Sequence, residues 1–423
     1  MPQTTTTNRI AFIDPAGQLG TVAPDGGELR LLTSGERAFQ FPAWAPDNKA
    51  IAIIGSTEQD AGIYVVSEQS PSFVAAVHQV YRSHTQPPIY LSWSPDSSVI
   101  SFLAIHPTRK LALYLTSSTG LLPVTQNSKP VITGQPCFWQ WQADSRGFLV
   151  HVDLSREHAR LAFVRLLEGK SQIGETTIED LGVRPGYFQV PGLSADNLYW
   201  AYAEDHRHFD ESRLIVESRA GKQRLVDYQG VAALAWSPVA AQLAFIYPTA
   251  EAQHIYGPVH LWDAASGVVQ PLTEENTLAF FWSPDGQKIA YLTLDAQPQR
   301  PVHPMPTFTT NGRFVGSWPF MAPEVDSAPS EVLRLALHVV DIRSGRSQII
   351  AVFEPWALFV NQFLPFFDQY ALSHRIWSPA SDALVVPMVK RHQGQSNVQL
   401  CVVPINGRSA EPIAEGMMAT WSW

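Results

Sequence analysis

The chain has 423 residues, 16% of them charged and 11% aromatic, with 33 Pro, 26 Gly and a formal net charge of −9. Pro and Gly at this density suit many short strands joined by tight turns rather than long amphipathic helices, and the acid excess argues against a general nucleic-acid or anionic-membrane surface. Two cysteines, Cys137 and Cys401, exclude a disulfide framework and a thiolate metal cluster, and no stretch approaches the roughly 18 apolar residues of a spanning helix.

Met1 to Arg9 is rich in Pro, Gln and Thr and lacks the basic and apolar regions of an export signal, so the expected location is the cytoplasm. Three strands are predicted next, at Ile10–Ile13, Leu19–Val22 and Leu29–Thr33. Then a phrase begins to recur. It reads Trp44-Ala45-Pro46-Asp47, Trp93-Ser94-Pro95-Asp96, Trp141-Gln142-Ala143-Asp144, a weaker Leu193-Ser194-Ala195-Asp196, Trp236-Ser237-Pro238, Trp282-Ser283-Pro284-Asp285 and Trp377-Ser378-Pro379. Up to Trp282 the opening residues lie 43 to 52 positions apart, the period of a four-stranded blade. Each phrase leads into an apolar strand such as Ile51-Ala52-Ile53 or Leu243-Ala244-Phe245, then a hairpin and a second strand such as Ile63-Tyr64-Val65-Val66.

Between Trp282 and Trp377 the interval doubles while one strand set, Leu333 to Val352, is recognisable, which predicts one blade with two insertions. The last residues, Ala419 to Trp423, open a further unit whose remaining strands are those at the N-terminus. The predicted fold is therefore all-β: one domain over residues 1–423, an eight-bladed β-propeller closed by the C-terminal strand joining the N-terminal strands in a composite blade. Seven blades is the alternative. Within the phrase, Trp covers a blade interface, Ser and Asp bond turn amides, and Pro fixes φ where the strand ends.

Three segments stand outside the repeat. Glu204 to Glu211 gathers His and carboxylates, and Asp205, His206, His208 and Asp210 are of the types that ligate a divalent ion, although a solvated polar turn explains them more simply. The insertion 295–332 is Pro-rich and aromatic, with Trp318 and Phe320 as candidates for docking a partner, or for folding over one face of the ring. The insertion 354–372 sets Trp356, Phe359, Val360 and Phe363 at helical spacing between Pro355 and Pro365, followed by Phe366 and Phe367. It reads as a short helix on the ring or over its channel, or as an apolar patch for a protein partner or small hydrophobic ligand.

The recurrent Trp-Ser-Pro-Asp phrase with its Ile-Ala-Phe and Ile-Tyr-Val strands resembles the TolB-type propeller repeat across nearly the whole chain. That resemblance implies the fold, and a role as a protein-binding platform or as the gating propeller of a prolyl-oligopeptidase-like hydrolase. The sequence departs from both, with neither an export signal nor a hydrolase domain after the last blade.

No nucleophile elbow, zinc-binding helix or phosphate-cradling Gly loop is present. Gly192-Leu193-Ser194-Ala195-Asp196 lacks the final Gly of a nucleophile elbow and is explained by the repeat. The expectation is a non-enzymatic, cofactor-free scaffold that binds one or more proteins. Small-ligand binding or catalysis in the central channel is the alternative, as is gating of a separately encoded hydrolase. A dry, plugged channel favours the scaffold; a wet funnel with clustered His and carboxylates favours ligand chemistry.

Overall fold

The computed structural model describes residues 8–68, 77–108, 110–119, 129–153, 159–167, 175–186, 189–205, 211–249, 257–295, 333–392 and 395–423. Among these, the strands form eight antiparallel sheets, seven of four strands and one of three. The ring is an eight-bladed β-propeller, which settles the blade number against seven. The first blade is the composite one: Ile10–Ile13 pairs on one side with Leu19–Val22 and on the other with Met417–Trp421. The seventh runs Ala279–Trp282, Lys288–Leu294, Leu335–Asp341 and Ser347–Phe353, one blade across the long interval. Its second and third strands rejoin at Asp295 and Arg334, paired through backbone and side chains.

The repeated phrase builds the same turn in several blades. Ser94 Oγ donates to Asp96 Oδ1 at 2.6 Å and accepts from Val99 N at 3.0 Å. Ser194, Asp196 and Tyr199 repeat this, as do Ser283, Asp285 and Lys288. The Trp of one blade reaches back to its predecessor: Trp93 Nε1 donates to Ala43 O, Trp282 Nε1 to Ala235 O and Trp377 Nε1 to Phe281 O, at 2.9 to 3.0 Å. In each case the acceptor belongs to the residue just before the preceding blade's own Trp.

A second bond ties the turns together. Ser97, Ser145, Asn197 and Ser381 all sit in the left-handed region, with φ from 57° to 63°. Their side chains accept from the amides of Asp47, Asp96, Ala143 and Asp285 of the preceding blades. Short polar residues tolerate that conformation because their side chains find local partners.

The eighth blade differs. Its strands are Ala383–His392, Gln395–Pro404 and Glu411–Glu415, and its innermost strand is reduced to a bridge between Trp377 and Leu384. Beside that bridge Val385 N still donates to Ile376 O at 2.8 Å. Residues 354–372 fold as a π-turn (Phe359–Phe363), a 3-10 turn (Leu364–Phe366) and a short helix, α1 (Phe367–Ala371). The helical spacing thus yields helical turns but not one straight helix. Pro365 falls in the first turn of the 3-10 segment, after Leu364, where a residue without an N–H is tolerated.

Candidate functional site

The residues 354–372 lie along the axis of the ring and touch its inner strands. Tyr370 stacks on Phe41 of the second blade, with centroids 5.7 Å apart, and meets Tyr90 of the third edge-on at 5.3 Å. Phe366 faces Phe138 of the fourth blade at 6.3 Å. Phe367 packs against Phe280 and Phe281 of the seventh at 5.3 and 5.8 Å. The backbone of Val190, at the edge of the fifth blade, bonds the Asp368 carboxyl. An aromatic stopper therefore fills the channel.

Its polar groups are matched to the ring. Gln369 behaves as a missing strand residue: Trp139 N donates to its Oε1, and its Nε2 donates to Trp139 O, both at 3.0 Å. Tyr90 hydroxyl donates to Gln369 O at 2.8 Å and lies 2.8 Å from Ser373 Oγ, which lies 2.6 Å from His374 Nδ1. The network runs from an inner strand through the stopper to the start of the eighth blade. Such buried networks specify one arrangement when their members are satisfied.

Burial sets the protonation states. Desolvation pushes the Asp368 carboxyl up to about 7 against the hydrogen bonds it accepts from Gln369 N and Val190 N. Desolvation pushes the His374 imidazole down to about 4, with the Phe41 carbonyl working the other way. At neutral pH His374 is uncharged. Tyr90 and Tyr370 are raised for the same reason, and the Cys137 thiol is pushed up to about 12. Burial here thus works against the charged form of each of these groups.

On the other side of the stopper, towards the seventh, eighth, first and second blades, packing is less complete. A cavity of about 60 Å³ remains there, lined by Phe281, Phe353, Phe359, Phe363 and Met418, with Gln362 and His374 as polar members. Trp356 and Phe359 stand half-buried at its rim.

The residues anticipated from sequence fall into three groups. Trp356, Phe359 and Phe363 come together at this cavity, and the rings of Phe359 and Phe363 stack at 5.1 Å. Phe366 turns away to Phe138 of the fourth blade, and Phe367, 2% exposed, has no surface to offer a partner, because Phe280 and Phe281 of the seventh already cover it. Trp318, Phe320, His206, His208 and Asp210 lie outside the described residues. Asp205 is paired with Arg184 at 3.0 Å, and among the described residues no cluster of His, Cys, Asp and Glu could hold a metal. Tyr90, Asp368, Gln369, Ser373 and His374 were not anticipated; their one sequence signal is position, directly before a blade that lacks a full inner strand.

A second concavity, a groove of about 550 Å³, opens between the sixth and seventh blades. Gln242, Asp263, Ser266, Val268, Gln287 and Arg343 line it. Gly286 (φ 65°) forms part of its floor, where any side chain would collide with Val239. Val239 and Val268 are 61% and 57% exposed.

Comparison with known proteins places the chain by fold. The family described as "Dipeptidyl peptidase IV (DPP IV) N-terminal region" matches residues 272–422, less than half of the chain. No curated protein sequence matches it. Among solved structures, an oligogalacturonate lyase in complex with manganese is 12% identical, with a TM-score of 0.50 over 94% of this chain and 96% of that one. TolB from Acinetobacter baumannii is 17% identical, with a TM-score of 0.38 over 64% of each chain. Pyrococcus horikoshii acylaminoacyl peptidase is 10% identical, with a TM-score of 0.44 over 91% of this chain and 52% of that one. Enzymes and TolB thus stand side by side among its likenesses, and what this chain shares with them is the β-propeller fold.

Proposed function

We propose that the chain is a non-enzymatic protein-interaction propeller that binds through one face of the ring rather than through its channel. The observation that carries this reading is the stopper: Phe367, Gln369 and Tyr370 occupy the axis where a catalytic or gating propeller would need a passage for substrate. Reactive groups near the axis, Asp368 and His374, are 8% and 5% exposed, and burial disfavours the charged form of each.

The binding face follows from blade topology. In an antiparallel blade the first and third hairpins lie at the same end, so the phrase turns and the turns at Asp263–Val268 and Asp341–Arg346 share one face. That face carries the groove between the sixth and seventh blades, and Leu198, Val239 and Val268 expose more than half their surface on it. Val268 lines the groove and Val239 lies against its Gly286, and exposed apolar side chains at a polar-rimmed groove mark interaction surfaces. Gating of a separate hydrolase fits less well, because the stopper closes the path such a gate would open.

The test is affinity capture with the intact chain and with a V239D/V268D variant of unchanged circular dichroism, alongside turnover assays on ester, peptide and glycoside substrates. The reading expects stoichiometric partners retained by the intact chain and lost from the variant, with no turnover. Identical retention by both, or turnover abolished by His374→Ala, overturns it.

A further inference from the structure

The cavity beside the stopper combines three features that packing alone does not require. The first is unmet hydrogen bonding. His374 is 5% exposed, and its Nε2 has no hydrogen-bond partner among the described residues; the Phe41 carbonyl influences the ring without meeting Nε2 in bonding geometry. Gln362 donates from Nε2 to Tyr370 Oη at 3.0 Å while its Oε1 is left without a partner. Turning the amide over would satisfy Oε1 with the Tyr370 hydroxyl and orphan Nε2 instead, so one end of the amide is unmet either way. Both residues line the same cavity.

The second feature is backbone strain. Phe41 and Met418 lie in the left-handed region, at φ 55° and 54°, where a bulky side chain is a true outlier. Both sit at irregularities in the innermost strands of adjacent blades, and Phe41 N lies 3.2 Å from Met418 Sδ. Both side chains line the cavity. Strain of this kind persists where the surroundings impose it, and it concentrates at ligand sites.

The third is composition. Every other lining side chain is apolar or aromatic, and none is charged. An ion in such a place would lose its hydration without gaining a counter-charge. We infer that this cavity is a binding site for a small, uncharged molecule with an aliphatic body and a single hydroxyl or amide head. The head meets the free ends of Gln362 and His374, and the body lies among Phe281, Phe353, Phe359 and Met418. Size bounds the ligand further: at about 60 Å³ the cavity is well below the roughly 150 Å³ that accommodates benzene, so a body of a few carbons fits without movement. The inference does not depend on the scaffold reading, since it concerns the wall of the channel and not the outer groove.

Methyl NMR of the full chain tests it, because six methionines keep the spectrum assignable and Met418 reports from within the site. The probe is 1-propanol, with propionate and propylammonium as charged counterparts. The expected result is a saturable shift of the Met418 methyl with propanol, about tenfold weaker with either ion. Gln362→Leu is expected to weaken propanol about fivefold by removing the polar end. The conservative Val386→Ile, which only takes up cavity volume, is expected to weaken it as well while leaving the fold intact. A shift that stays linear to high concentration, an equal response to the charged probes, or unchanged affinity in both variants overturns the inference; a cavity that holds water alone gives the first of these.

Discussion

Asn48 holds the main chain of Trp423 at both of its polar groups: Trp423 N donates to Asn48 Oδ1 at 2.7 Å, and Asn48 Nδ2 donates to Trp423 O at 2.8 Å. The same turn position in later blades, as at Ser97 and Ser145, makes only one such bond to its predecessor. The turn at the closing blade thus makes one bond more than those two. Trp423 Nε1 adds a bond to Trp44 O at 2.9 Å, and Arg375 lies over the Trp423 ring at 4.5 Å. Arg9 and Glu68, in contact at 2.7 Å, bind the same two blades farther from the axis.

Asn48→Ala removes both bonds and also places an ordinary side chain at φ 60°, so the expected cost is about 2–3 kcal/mol. Asn48→Gly relieves the backbone and is expected to cost about 1–2 kcal/mol, the bonds alone. Urea midpoints of the two variants, compared with the parent, separate the two contributions.

Gln369→Leu keeps the volume of the stopper but orphans the main-chain N–H and carbonyl of Trp139 in a buried environment. A loss of about 2–4 kcal/mol is expected. Hydrogen exchange at the Trp139 amide should accelerate more than that of Leu149, a core residue of the same blade.

Asp368 gives stability a specific pH dependence. Its folded-state pKa, raised to about 7 by burial, lies above the ordinary value of 3.8, so the folded protein keeps a proton that the unfolded chain releases. The contribution is complete below about pH 4 and is lost as pH rises through 7. Asp368→Asn retains an acceptor for Gln369 N and cannot ionise. Between pH 5 and pH 8 the parent should lose on the order of 2–3 kcal/mol relative to this variant, measured by denaturant titration at each pH.

Asp60 has the opposite sign. Its carboxylate accepts from Arg37 Nη1 at 2.8 Å and Arg82 Nε at 2.5 Å; the Arg37 bond leads in holding its pKa below the ordinary value, against burial. Its stabilisation is present above about pH 4 and is lost as pH falls through the folded-state pKa. Asp60→Asn should cost about 1–2 kcal/mol at pH 7, at the low end for a charged bond because Arg82 is solvent-exposed, and progressively less as pH falls below 4.

The ring was legible in the sequence because each blade repeats one local solution: a Trp that reaches its predecessor, and a Ser and Asp that fasten the turn. Even the composite blade could be read, since Trp421 keeps the period while Ile10–Ile13 lacks a partner strand of its own. The stopper was half legible. Aromatic spacing in 354–372 marked a helical segment over the channel, but Tyr90 and Trp139 meet Gln369 across 279 and 230 residues, and no local pattern encodes such encounters. The strained backbones of Phe41 and Met418 were invisible for a related reason: each depends on where a neighbouring blade places its innermost strand.

The central claim is that residues 367–374 close the channel as part of the core. Hydrogen–deuterium exchange of the full chain measures this directly, because a packed stopper exchanges only when the ring opens, whereas a loosely held segment exchanges on its own. Peptides spanning 367–374 are expected to exchange as slowly as the inner strand Ala279–Trp282 and far more slowly than the exposed turn Arg343–Arg346. Exchange at the rate of that turn would mean that the channel stands open, and would contradict both the stopper and the scaffold reading built on it.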